Sequence, residues 1–190
     1  MSDLGTRKIN VNLNGMPQKI ATAFNALNDL IGVKYNFIAY IGFQWVNGIN
    51  HAVLAEQVLF TTEEIKNVVI IIFNEKDDDV TLVSIERVVE SGEAFGGTKV
   101  DVQTLLSDDA RNLFTNAFVG ILGGRYAPIA LLGTQVTTGI EYIYAATCDP
   151  ATLGDMEFLL ISINSLTHRV SIIDPLVDKY NTALGYAFTW

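Results

Sequence analysis

The chain repeats itself at a fixed offset, and this limits its folds more than any other feature. Shifted by 91 residues, Lys8, Ile9 and Val11 fall on Lys99, Val100 and Val102. Ala26, Leu27, Leu30, Ile31 and Gly32 fall on Ala117, Phe118, Ile121, Leu122 and Gly123. Gly42, Gln44, Gly48, Ile49 and Ala55 meet identical residues at Gly133, Gln135, Gly139, Ile140 and Ala146. One register runs from Lys8 to about Ile72; near the last strand Val80 pairs better with Val170. Self-similarity of this kind marks a duplicated structural unit. The Gly- and Ser-containing stretch Ser91 to Thr98 reads as the joint. Two domains are therefore expected, residues 1–94 and 95–190.

Each copy has the same pattern of elements. Ile9 to Leu13 alternates apolar and polar residues, as a short strand does. Pro17 suits the first turn of a helix, and Ile20, Ala23, Phe24, Leu27, Leu30 and Ile31 follow at helical spacing. Gly32 fits the left-handed position beyond a helix end. A β-rich run from Val33 to Val46 leads to Asn47-Gly48, a strong hairpin signal because both residues tolerate positive φ. Ile49 to Phe60 returns. Asn67 to Phe73 and Val80 to Val89 form a second hairpin around the acidic turn Asn74 to Asp79. The second copy repeats this with a helix over Asp108 to Leu122. The order β-α-β-β-β-β in each unit predicts an α+β class, one helix on an antiparallel sheet, twice.

The strands carry more apolar residues than one helix can cover. Phe37, Ala39, Ile41, Phe43 and Trp45 alternate onto one face, and Ile38, Tyr40, Gly42 and Val46 line the other. Val68 to Phe73 is apolar on both faces. A sheet covered on one side only should keep a polar face. Cover from the other copy, sheets inside and helices outside, or from a second chain in a homo-oligomer, is expected.

Composition removes several function classes. The formal net charge is -9, and Lys and Arg are scattered apart from Arg7-Lys8. A nucleic-acid binder or an anionic-membrane binder needs a basic stripe, so neither partner is expected. Met1 to Leu13 lacks the apolar stretch of a secretory signal. A single cysteine, Cys148, allows no internal disulfide. The chain reads as cytoplasmic, although a secreted protein without its signal would read the same. No metal-ligand spacing, phosphate loop or Ser-His-Asp order stands out. No cofactor and no enzymatic activity are expected. His51 reads as a packing or surface residue, and Cys148 as an inert small side chain.

Gln44-Trp45-Val46-Asn47-Gly48, at the tip of the first hairpin after a helix and a long strand, resembles the Q-x-V-x-G signature of cystatins. The second copy, Gln135-Val136-Thr137-Thr138-Gly139, keeps the Gln and Gly but has Thr137 where Val is expected. The resemblance implies a protein-binding module that blocks papain-like cysteine proteases by wedging this hairpin into their cleft. Gln44, Trp45, Val46, Asn47 and Gly48 would be the contact residues, with Gly5 as the glycine of the N-terminal arm. The chain departs from the family at the second hairpin: neither Asn74 to Asp79 nor Asn164 to His168 holds the Pro-Trp or Leu-Pro pair often found there. Turn geometry alone also explains Gly48, and Gln44 could serve the strand edge. A non-inhibitory assembly protein is the alternative.

Overall fold

The computed structural model describes residues 5–92, 96–151 and 154–176. The first half runs β1 (Arg7–Asn12), α1 (Gln18–Ala26), β2 (Val33–Val46), β3 (Gly48–Phe60), β4 (Glu64–Lys76) and β5 (Asp79–Glu90). The second runs β6 (Thr98–Gln103), α2 (Asp108–Ala117), β7 (Gly124–Thr137), β8 (Gly139–Pro150), β9 (Glu157–Asn164) and β10 (Val170–Ile173). The strands form two five-stranded antiparallel sheets, ordered β1-β2-β3-β4-β5 and β10-β9-β8-β7-β6. The joint expected at 94/95 lies outside the described residues.

The expected α+β class is corrected by this architecture. The described residues are mostly β, with 59% strand and 13% helix, and they do not form a pair of cystatin-like α+β units. The physical reason is the length of the helices against the apolar area of the strands. Each helix has only two fully buried residues, Ile20 and Phe24 in α1, Ala110 and Phe114 in α2. The largest single core lies between the sheets. Ile38, Ile41, Leu54 and Ile70 of the first sheet share one core with Ile129, Leu132, Phe158 and Leu160 of the second. The helices cover the two outer faces: α1 packs over Tyr40, Val53 and Ile71, and α2 over Leu131, Tyr144 and Leu159. The two-faced strands are thus explained by sheets packed on each other with helices outside.

The helices stop earlier than the apolar spacing predicts. α1 gives way to a 3-10 turn, Leu27–Asp29, which leaves Leu30 and Ile31 exposed. α2 ends at Ala117 and leaves Leu122 exposed. α2 starts on Ser107, whose hydroxyl accepts from the Ala110 amide at 3.2 Å, with Asp108 and Asp109 favouring the positive end of the helix dipole. α1 has no such cap and is held by Lys19, which reaches Glu75 at 2.9 Å and Asp78 at 2.6 Å on the β4–β5 end.

Strict alternation along β2 also fails, for a local reason. Pairing with β3 shifts register between Phe37 and Ala39 and again between Tyr40 and Gly42. Each bulge moves the following side chains across the sheet. Ile41 therefore faces the other sheet while Phe37 faces α1. β7 shifts at the equivalent places, Pro128/Ala130 and Leu131/Gly133. Ion pairs join the halves: Arg7 meets Asp174 at 3.1 Å and Lys8 meets Asp155 at 3.1 Å. They place the hairpin end of the first half beside the far end of the second. Among the described residues no helix is long and apolar enough to cross a membrane.

Candidate functional site

The hairpin between β2 and β3 turns at Asn47, with Gly48 at φ +102°. Its residues divide into supports and presented side chains. Gln44 is 3% exposed, and its Nε2 donates to the Gly5 carbonyl oxygen at 2.7 Å. The Gly5 amide in turn donates to the Trp45 carbonyl at 2.9 Å. Gly5, cast as a residue of a flexible arm, is therefore fastened to the hairpin base, with φ +95° that suits glycine. The second half repeats the clasp: Gln135 Nε2 donates to the Gly96 carbonyl at 2.6 Å, with Gly96 at φ +87°. The paired Gln and Gly of the two halves thus have an internal task.

Gly48 is also internally committed. A Cβ there would lie 2.6 Å from the Glu75 carbonyl oxygen of β4 and 2.9 Å from Asn74 Oδ1. The hairpin leans on the end of β4, and only glycine permits that approach. Asn74 donates to Asn50 Oδ1 at 2.8 Å beneath the same turn. Trp45, Val46 and Asn47 are what the tip presents. Trp45 is 38% exposed and meets Phe43 edge to face, ring centres 4.7 Å apart.

Below the tip lies a polar chain, buried at Tyr40 and His51 and exposed at Lys19 and Asp78, that sequence reading missed apart from His51 itself. The Tyr40 hydroxyl and His51 Nδ1 are hydrogen-bonded at 2.9 Å. His51 Nε2 stands 3.3 Å from Glu75 Oε2, close enough for charge attraction but without hydrogen-bond alignment. Glu75 holds Lys19, which also holds Asp78. Burial pushes the imidazole pKa below its ordinary 6.5, against the pull of Glu75. Burial likewise pushes the Tyr40 hydroxyl up to about 12. Lys19 and then His51 hold the Glu75 carboxyl below its usual range. His51 is only 5% exposed, and the chain links α1 to the sheet. The only sequence signal for it was a lone histidine on a strand; Lys19 and Glu75 are 56 residues apart. Cys148 is buried, and burial raises its thiol pKa, which suits an inert side chain.

This geometry sets the response to acid. The unfolded chain protonates His51 near pH 6.5 and the folded chain only at lower pH. Acid therefore favours the unfolded chain. Stability is expected to be full above about pH 7 and to decline as pH falls from there toward the folded pKa. Denaturant midpoints from pH 8 to pH 5 measure it. The decline should flatten in His51→Gln; an equal decline in that variant would assign the effect to other groups.

Comparison of the chain with protein-family models, with curated proteins and with solved structures finds no match in any of the three. What the tip can do is read from its own residues. It offers one rigid aromatic, a half-buried valine and an exposed polar turn on a backbone clamped from two sides.

Proposed function

We propose that this chain is a protein-binding module that docks the Trp45–Asn47 tip into the cleft of a partner protein, as hairpin inhibitors of papain-like proteases do. The observation that carries the reading is the division of labour in the pentapeptide. Gln44 and Gly48 hold the backbone, while Trp45 stays partly exposed at the end. A tip fixed in advance loses little conformational freedom on docking. An exposed tryptophan on such a tip is the residue type that dominates binding hot spots. Titration of papain with the full chain tests it. Inhibition is expected, weakened about tenfold or more by Trp45→Ala, which is about 1.4 kcal/mol. The variant should melt like the parent, since Trp45 belongs to none of the three buried cores. Papain left fully active at roughly 100 μM chain, well above the affinity range of specific complexes, would remove such proteases as the partner class.

A second reading rests on a different observation. Leu30 and Ile31 of the first half, with Phe60 beside them, are exposed, and so are Ile121 and Leu122 of the second. Apolar residues exposed at equivalent places in both halves favour an assembly role, in which copies of the chain pack through these loops. A solution mass of one chain at all concentrations argues against it.

A further inference from the structure

We infer that the docking tip is proton-sensitive: a proton taken up by His51 unseats Trp45, so the tip holds its partner near neutral pH and releases it in mild acid. The release rests on the docking reading above; the unseating of Trp45 does not. Three rings run in file from the tip into the fold. Trp45 leans edge to face on Phe43, ring centres 4.7 Å apart. Phe43 lies directly across the ladder from His51, with ring centres 6.4 Å apart and planes tilted by 42°. Beyond His51 stands Tyr40, its ring 6.0 Å from the imidazole. His51 thus supports from within the ring on which Trp45 rests.

The imidazole is held for one protonation state. Its Nδ1 shares a hydrogen bond with the Tyr40 hydroxyl at 2.9 Å. Its Nε2 is buried with no hydrogen-bond partner, although Glu75 Oε2 is 3.3 Å away. A neutral ring has one N–H and one acceptor nitrogen; the charged ring has two N–H groups and no acceptor. The added charge must be paired, because an unpaired buried cation is costly. The Tyr40 hydroxyl can turn to accept from Nδ1. Nε2 aligns with Glu75 only if the ring rotates. Among the described residues the titratable groups facing the ring are Tyr40 from β2 and Glu75 from β4, and Lys19 of α1 holds both Glu75 and Asp78 of the β4–β5 turn. Lys19 grips Glu75 Oε1 at 2.9 Å, which keeps the carboxylate charged and in place, so the ring is the part that moves. Rotation takes the imidazole from beneath Phe43, and Phe43 and Trp45 lose their common seat. A mobile tryptophan must be ordered again on docking, at a cost in affinity.

Nuclear magnetic resonance on the full chain reads both events. Ring-proton shifts follow the titration of His51 and are assigned by their loss in His51→Gln. Relaxation of the Trp45 indole N–H, assigned in Trp45→Phe, reports its mobility. Trp45 is expected to become mobile at the midpoint of the His51 titration, below pH 6.5, while β8 amides keep their native shifts. Glu75 favours the charged ring, so Glu75→Gln should move both midpoints together to lower pH. Papain titration then reads the release. Relative to His51→Gln, affinity should fall by up to about tenfold per pH unit below the midpoint, the limit for one linked proton. A Trp45 that stays rigid while His51 titrates, or loosens only as the whole chain unfolds, would overturn the proposal. So would a His51 that takes up no proton while the chain is folded. Papain left fully active at every pH would overturn the release together with the docking reading, and the resonance result, which needs no partner, tells that failure apart.

Discussion

Gly42→Val is expected to strip β1 from the first sheet and to cost about 3 kcal/mol of stability, the upper part of the range for overpacking. Gly42 follows the second bulge of β2, where β1 crosses closest. A Cβ at this position would fall on the Lys8 carbonyl oxygen, with Ile9 Cα at 3.0 Å and Asn10 N at 3.1 Å. All three neighbours are backbone, so no change of rotamer makes room. β1 must move, and it takes with it Ile9 and Val11 from the central core, the Arg7–Asp174 and Lys8–Asp155 pairs and the Gly5 clasp. Gly133 stands in the same relation to β6, its missing Cβ facing the Lys99 carbonyl and, at 3.1 Å, Val100 Cα. Denaturant unfolding measures the loss, and hydrogen exchange at the β1 amides locates it. A variant that unfolds at the parent midpoint with β1 still protected would mean the strands have room to separate there.

Phe158→Ala should cost about 4 kcal/mol, the middle of the range for a buried aromatic, and should destabilise both halves equally. Phe158 is 1% exposed on the inner face of the second sheet. It shares its core with Ile38, Ile41, Leu54 and Ile70 of the first. Truncation leaves a cavity between the sheets, and neither sheet can close it alone. The free energy of exchange should therefore fall together at slow amides of β3 and β8. Loss of protection confined to β7, β8 and β9 would show that the halves fold as separate units and that the shared core contributes little.

Much of the strand order was legible because strand signals are local. Asn47-Gly48 marks a turn through backbone preference alone, and the 91-residue offset carries the pattern of one half onto the other. The matched Gly42 and Gly133, and the matched Gln44 and Gln135, pointed to positions with a task. The task itself was out of reach, since the glutamine's partner lies 39 residues away in each half. The resemblance to an inhibitor signature assigned Gln44, Gly48 and Gly5 to a partner's surface, whereas hydrogen bonds and close backbone approach occupy all three within the fold. Helix length was misread because Leu30, Ile31, Ile121 and Leu122 continue the helical spacing but face no packing surface. The two bulges of β2 broke a strict two-residue alternation that assumes an even ladder.

By itself the chain determined that there are two copies of one local pattern, where each turns, and that its strands are too apolar to leave a face in water. Those properties reside in single residues and their near neighbours. Only the tertiary structure decided that the two sheets are each other's cover, that a buried glutamine clasps the glycine just ahead of β1, and that Trp45 stays partly exposed. Such outcomes depend on contacts between residues up to 167 positions apart. Burial is a property of the assembled surface, and no local pattern specifies which apolar residue will find a partner.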